Sequence, residues 1–166
     1  MTTDATARRR AAAAARWRPD AVRLLLVDEA PPSAPDRYFY FTDVDAHDSL
    51  FRYVVRGVLG VEPSRDKEPL LEELCAAGVF LLDASRTPFR DRREAFPACL
   101  PDLVARARAL RPEHVLLVGA RLYDTAYRTL RDADLPVLDA RLPYPGSGQQ
   151  RRFLDGLGEV LDAMAD

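Results

Sequence analysis

Two acids followed by two prolines are the first residues of this sequence whose types suggest chemistry. Asp28 and Glu29 come directly after an apolar run, and Ala30-Pro31-Pro32 follows them. Carboxylates at the end of a buried strand lie where a general base, or a group that orients water, is needed. The prolines restrict φ and stiffen the turn, which suits the wall of a preorganised site. A plainer interpretation stays open, in which the acids only begin a loop or cap a helix.

An aromatic cluster, Tyr38-Phe39-Tyr40-Phe41, follows in the same segment. Aromatic side chains in a loop can stack on a flat ligand, and each stacked base contributes about 1–3 kcal/mol. They can equally pin the loop to the core, and we expect at least two of the four to do so. Tyr38, Phe39 and Tyr40 are therefore candidate base-binding residues.

A second apolar run ends at another acid, Asp83, with Arg86 three residues later. Asp83 is placed to contact a hydrogen-bonding edge of a ligand, and Arg86 is placed to contact an anion. The alternative is that Asp83 is an acceptor within a turn.

A turn that contains glycine and serine near the C-terminus opens directly into a helical pattern. Free backbone N–H groups at a helix start, together with the helix dipole, bind anions. Acids are the usual side chains of a first turn, so two arginines there favour a phosphate ligand over a plain connecting turn. The candidate phosphate-binding residues are Gly146, Ser147, Gly148, Gln149, Arg151 and Arg152.

Four short apolar runs predict the strands that must position these segments, at 22–27, 79–82, 115–118 and 136–138. Runs without alternation suit a sheet that is covered on both faces. Helical periodicity predicts helices over 47–59, 70–77, 100–110 and 153–161. The sequence therefore predicts an α/β fold, a three-layer α/β/α sandwich with a central, mostly parallel four-stranded sheet.

Ligands of such sheets bind beyond the carboxyl ends of the strands. Three predicted loops lie at those ends, at 28–46, 83–93 and 140–148. The first of them is long for a compact domain, and long loops tend to be functional.

Composition excludes several classes of protein. Of 166 residues, 48% are hydrophobic, which excludes wholesale disorder. No apolar run approaches the roughly 20 residues that a membrane helix needs. The count of two cysteines excludes a disulfide framework and a four-thiolate cluster built by one chain. Two histidines leave little for a histidine-based metal site or catalytic triad. We expect a soluble cytoplasmic protein with no metal and no other cofactor, monomeric by default.

The first 20 residues differ from the rest in charge, because they hold five Arg against two Asp while the whole chain has a net charge of −2. Their apolar part is too short and too weakly hydrophobic for a signal peptide. We interpret residues 1–20 as a frayed helix or a mobile, disordered basic arm, and 21–166 as one domain. An arm that contacts nucleic-acid phosphate is the functional alternative.

In this order the segments resemble the uracil-DNA glycosylase superfamily. Residues 28–32, Asp-Glu-Ala-Pro-Pro, look like the Gly-Glu-Ala-Pro-Gly motif of its iron–sulfur branch, and 79–83 is similar to the strand that ends in an Asn reading uracil. Residues 110–119 resemble the segment L-x-P-x-x-[IV]-[IV]-x-L-G. Residues 144–147 lie where the family has His-Pro-Ser, and the resemblance covers most of 22–163.

The resemblance implies hydrolysis of the N-glycosidic bond of a damaged or deaminated base, flipped out of duplex DNA or presented in a single strand. Glu29 would stabilise the oxocarbenium-like sugar or orient water, and Tyr144 would donate a hydrogen bond to the departing base. The turn at Gly146 would contact a DNA phosphate. The residues that would contact the base are Asp28, Pro31, Tyr38, Phe39, Tyr40 and Asp83.

Three of the departures from the family concern its functional residues. Asp83 replaces its Asn, Tyr144 replaces its His, and the four cluster-binding cysteines are absent. An ionised Asp83 only accepts hydrogen bonds, so it would repel the carbonyl of uracil and favour an exocyclic amino group or a protonated ring nitrogen. The alternative function is a non-catalytic nucleic-acid or nucleotide-binding protein on the same fold, which would depend on Arg151, Arg152 and the aromatic residues.

Overall fold

Three parallel strands form the single open sheet of this protein, as seen in a computed structural model. The structure describes residues 2–44, 48–64, 66–89, 92–146 and 148–166, and only the backbone of 92–95. The strands, in the spatial order β2-β1-β3, are β1 (Leu24–Asp28), β2 (Val79–Asp83) and β3 (His114–Leu117). The helices are α1 (Thr3–Arg16), α2 (Ser49–Val54), α3 (Glu68–Ala76), α4 (Arg92–Leu110), α5 (Ala120–Asp132) and α6 (Gln150–Ala165).

The central strand β1 is buried because it has a neighbour on each side. Leu25, Leu26 and Val27 are fully buried, as expected for an apolar run without alternation. The parallel register pairs Leu24 with Val79 and continues residue by residue. As a result, β1 and β2 end together on two acids, Asp28 beside Asp83.

The predicted fourth strand is reduced to isolated bridges, so the prediction of a four-stranded sheet was wrong. Val137 bridges to Val115, and Leu142 bridges to Val118. The N–H of Val115 donates to the oxygen of Pro136 at 2.9 Å, and the N–H of Leu138 donates to the oxygen of Val115 at 2.8 Å. Pro136 itself has no N–H, so it cannot extend this pairing as a donor. The α/β class is confirmed with three strands, and the three-layer sandwich stays a prediction.

The predicted helices are largely present, and their apolar stripes face the core. In α6, the predicted positions Phe153, Leu157 and Val160 are buried. The helix predicted over 47–59 begins at Ser49, where Asp48 caps it, and it continues into a π-helical turn over Val55–Leu59. Residue 47 lies outside the described residues. No helix in the described ranges is both long and apolar enough to cross a membrane.

The N-terminal segment is not the disordered arm that its charge suggested, because it forms α1 and packs on the loop after β1. Arg10 is only 5% exposed, and its Nη2 donates hydrogen bonds to the backbone oxygens of Pro32 (2.7 Å) and Ala34 (3.1 Å). Arg9 lies 4.0 Å from the centre of the Phe41 ring. These arginines therefore tie α1 to the segment that follows β1.

We predict that Arg10→Met lowers the free energy of unfolding by about 1–3 kcal/mol, because two carbonyl oxygens of the loop are left without their donor. Arg8→Met is the matched control. Arg8 is exposed and pairs with Asp4 in the same helix, so this change should cost less than about 0.5 kcal/mol. Chemical denaturation measures both variants. Equal stability of the two variants would show that α1 does not brace the loop.

Candidate functional site

One cavity of about 1190 Å³ opens at the carboxyl end of the sheet. Its walls come from the segments that follow β1 and β2, from the start of α2, and from Tyr144. Two of the predicted loops and one residue of the third therefore meet there. The volume is sufficient for a nucleotide-sized ligand.

Most of the residues predicted to contact a base or the reacting bond line this cavity. They are Asp28, Glu29, Pro31, Tyr38, Phe39, Asp83 and Tyr144. Other candidates that the structure describes lie outside its lining, namely Tyr40, Arg86, Gly146, Gly148, Gln149, Arg151 and Arg152. Ser147 lies outside the described residues.

Asp28 and Asp83 form a pair of neighbouring carboxyl groups at the base of the cavity. Oδ1 of Asp28 accepts a hydrogen bond from the N–H of Glu29 at 2.8 Å. Burial and the nearby Asp83 together raise the pKa of Asp28 well above its usual value. Two acids this close and this poorly hydrated favour sharing one negative charge over carrying two.

Asp83 is 8% exposed, and burial raises its pKa to about 7, with Asp48 adding to the rise. Arg10 and Arg106 oppose that shift electrostatically. The side chain of Arg106, on α4, holds the backbone where β2 ends: Nη1 donates to the oxygen of Asp83 and Nη2 to that of Ala84, both at 2.8 Å. The position of Asp83 is thus fixed by its backbone.

Glu29 has its backbone held on both sides. Its N–H donates to Asp28, and its carbonyl oxygen accepts from the N–H of Ser85 at 3.0 Å. Its Oε1 lies 3.9 Å from the point that a Cβ on Gly119 would occupy. Gly119 precedes α5, so the carboxylate lies near a helix N-terminus, where negative charge is favoured. Such a group can orient water or stabilise a positive charge in the cavity.

The aromatic loop residues are all buried and pack edge to face with one another. Tyr38 and Phe39 line the cavity, whereas the Oη of Tyr40 accepts a hydrogen bond from the N–H of Leu81 at 2.7 Å. The rings of Phe39 and Phe51 are 5.5 Å apart. Tyr40 therefore anchors the loop to β2, while Tyr38 and Phe39 are the residues of this cluster that line the cavity.

Tyr144 is 41% exposed and is contributed by the third loop. Burial of its hydroxyl group and the carboxylates of the cavity raise its pKa. The phenol is therefore neutral over the physiological range and can donate a hydrogen bond. Gly146 allows the tight packing there, because a Cβ at that position would lie 3.3 Å from the Tyr144 ring.

Arg86, expected to contact an anion, is engaged within the protein. Its Nε and Nη2 each donate to the carboxylate of Asp102 at 2.9 Å. The Nε of Arg106 donates to the same carboxylate at 2.8 Å. These contacts lower the pKa of Asp102 to about 2. Arg86 and Arg106 thus form a network that supports the end of β2.

The glycine-containing turn before α6 borders a second cavity of about 740 Å³. Gln149 and Arg152 line this second cavity, whereas Arg151 is 94% exposed and lies 4.0 Å from Asp155. Gly148 has a φ of +84°, which favours glycine at this turn. The structure therefore separates the predicted phosphate-binding arginines from the cavity that holds Glu29.

The sequence analysis did not identify four charged residues near the first cavity. Asp48 lines the cavity and caps α2, with its Oδ2 accepting from the N–H of Phe51 at 3.2 Å. A polar residue before a helical pattern could have identified this cap. Arg37 and Arg52 are exposed on the cavity wall, and neither stood out among the many arginines of the sequence.

Lys67, the fourth, is 2% exposed and gave no sequence signal for burial. Its Nζ donates to the backbone oxygen of Tyr38 at 3.0 Å and lies 4.4 Å from the centre of the Phe51 ring. Burial lowers its pKa to about 8, against the opposing effect of Asp48. Lys67 therefore supports the aromatic wall from behind.

Among the described residues, no group of three or more His, Cys, Asp or Glu side chains is arranged to hold a metal ion. The described lining of this cavity offers carboxyl groups, the phenols of Tyr38 and Tyr144, further aromatic rings and arginines. No protein-family model and no curated protein matches this chain.

We predict that Asp83→Asn stabilises the protein at about pH 8 by up to about 4 kcal/mol and has little effect at about pH 4. The folded-state pKa of Asp83 is about 7, above its usual 3.8, so the folded protein binds the proton more tightly. Wild-type stability therefore falls as pH rises through this window, at about 1.4 kcal/mol per pH unit, and the amide removes that dependence. Denaturation across this range measures the effect.

Asp102→Asn is the control, because the pKa of Asp102 is lowered and its contribution has the opposite sign. This change should reduce stability by the same amount at about pH 6 and pH 8, since both lie above the usual pKa of the group. A pH-independent effect of Asp83→Asn would contradict the assignment of a raised pKa.

Proposed function

We propose that this protein hydrolyses the N-glycosidic bond of a damaged or deaminated base that has been flipped out of DNA into the first cavity. The single observation that carries the proposal is the meeting of Glu29, Asp83, Tyr144 and two aromatic rings in that one cavity. A carboxylate for the sugar, a ring surface for the base and hydrogen-bonding groups for its edge are the parts that this reaction needs. The resemblance to the uracil-DNA glycosylase superfamily supports the same reaction.

In the proposed reaction, the bond between C1′ and the base nitrogen breaks and its electron pair leaves with the base. Positive charge develops on the sugar, and Glu29 stabilises it and orients the attacking water. The water adds hydroxyl to C1′, and its remaining proton is taken up by the base. Tyr144 donates a hydrogen bond to the base as negative charge develops there.

The charge on the cavity wall is consistent with this division of roles. Acids lie at its base, where a neutral nucleobase would enter and a phosphate would be repelled. Arg37 and Arg52 are exposed on the wall and can contact the phosphates that flank the flipped nucleotide. They are the phosphate contacts that we favour over Arg151 and Arg152.

We predict that Glu29→Gln lowers the rate of base release by about 100- to 10,000-fold, the usual contribution of a group that activates water. The variant should keep its fold and bind DNA within about threefold of wild type, because the amide preserves the shape of the side chain. The assay is the formation of abasic sites in oligonucleotides that contain uracil, hypoxanthine, xanthine or an alkylated base.

Glu113→Gln is the matched control, since Glu113 is exposed and pairs at 3.9 Å with Arg23, outside the lining of the first cavity. It should release bases at the wild-type rate. Equal rates for Glu29→Gln and wild type would remove Glu29 from the mechanism. If the wild-type protein binds these oligonucleotides but releases no base, the alternative of a non-catalytic binding protein is favoured.

We also predict that Arg37→Ala/Arg52→Ala weakens DNA binding and reduces the slope of log affinity against log salt. Removing one phosphate contact should lower that slope by about 0.7–0.9. Arg151→Ala/Arg152→Ala is the comparison and should change the slope less, because neither residue lines the first cavity. Base preference should stay the same in both variants, since phosphate contacts position the DNA without specifying sequence. If the Arg151/Arg152 variant reduces the slope more than the Arg37/Arg52 variant, the DNA instead crosses the turn before α6.

A further inference from the structure

The carboxyl group of Asp83 lines the cavity but has no hydrogen-bond partner within the part of the chain that the structure describes. The side chain is more than nine-tenths buried, and besides that burial it interacts electrostatically with Asp48, Arg10 and Arg106. Buried polar groups in proteins are nearly always hydrogen-bonded. A carboxyl group held at the base of an open cavity without a partner is therefore available to a ligand.

The charged groups around Asp83 come from four elements, β1, α1, α4 and the start of α2. Asp28 lies beside it on β1, and Asp48 lies at the start of α2. The cations are Arg10 from α1 and Arg106 from α4. The phenols of the cavity region that Asp83 influences are Tyr38, Tyr40 and Tyr144.

Neither cation neutralises Asp83 by a hydrogen bond. Arg10 directs Nη2 to two backbone oxygens of the loop, and its buried Nε has no partner among the described residues. Arg106 directs its two Nη atoms to the backbone oxygens of Asp83 and Ala84, and its Nε to Asp102. The carboxyl group of Asp83 is thus surrounded by acids and by arginines whose bonding N–H groups point elsewhere.

We propose that Asp83, as a neutral carboxylic acid, contacts the edge of the ligand as a hydrogen-bond donor and acceptor at once, and that its ionisation abolishes this contact. A carboxylic acid presents one O–H donor next to one carbonyl acceptor. Its complement is a lactam edge, a carbonyl beside a ring N–H, as oxo-substituted bases carry. A carboxylate presents acceptors alone and pairs instead with an amino-bearing edge.

This inference rests on the proposed function, because it takes the ligand to be a nucleobase. It revises the expectation that an ionised Asp83 repels the carbonyl of uracil. Burial raises the pKa of Asp83 to about 7, so the change from carboxylic acid to carboxylate falls near neutral pH. The side chain would then present, at and below neutral pH, the same pair of groups that an asparagine amide presents at every pH.

The test is binding of free uracil to the intact protein, measured by calorimetry at about pH 6 and about pH 8. With a pKa of about 7, the neutral fraction falls about tenfold between these values, so the wild-type affinity should fall about tenfold. Asp83→Asn keeps a donor and an acceptor at both pH values. Its affinity should therefore change by less than about twofold.

N3-methyluracil, which lacks the ring N–H, is the control ligand and should bind at least about tenfold more weakly than uracil to both proteins at about pH 6. Wild-type affinity for uracil that is equal at the two pH values would overturn the inference. So would the same pH dependence in Asp83→Asn, or no binding of uracil at either pH. Free uracil has no bond to hydrolyse, so these results hold whether or not any oligonucleotide loses its base.

Discussion

The register of β1 and β2 is the constraint on which the rest of the site depends. It places Asp28 directly beside Asp83, at the end of a sheet whose central strand is buried from Leu24 to Val27. Two carboxyl groups in that environment cannot both be ionised without a large electrostatic cost. A charge on both groups is therefore disfavoured, and in our proposal the neutral form of Asp83 is the one that contacts the ligand.

The surrounding elements hold the pair in place without neutralising it. Arg106 bonds the backbone at the end of β2, and Arg10 bonds the loop that follows β1. Lys67 supports the same loop from behind, through the backbone oxygen of Tyr38. The side chains of these three cations therefore donate hydrogen bonds to backbone oxygens and hold the walls of the cavity in place. Because they do not bond the carboxyl groups of Asp28 and Asp83, the pKa values of those acids stay raised. A fixed site of this kind gives up little freedom when a ligand binds.

Local patterns in the sequence were sufficient to predict the three strands, most helices and the meeting of the loops at one edge of the sheet. They could not predict hydrogen bonds between residues that lie far apart in the sequence. Arg10 bonds Pro32 and Ala34, and nothing in an alanine- and arginine-rich segment signals that contact. The pairing of Arg86 with Asp102 was missed for the same reason. The prediction of a fourth strand was wrong for a local reason, because Pro136 has no N–H for a hydrogen bond that the strand would need.

The most direct measurement is a titration of the Asp83 carboxyl carbon by nuclear magnetic resonance, with Asp83→Asn used to assign the signal. The signal should titrate with a midpoint near 7, and it should be perturbed by the titration of Asp28, because the two groups share one environment. A midpoint near the usual value of 3.8 would contradict the account. Asp83 would then be an ordinary carboxylate at neutral pH and could not donate a hydrogen bond to a ligand.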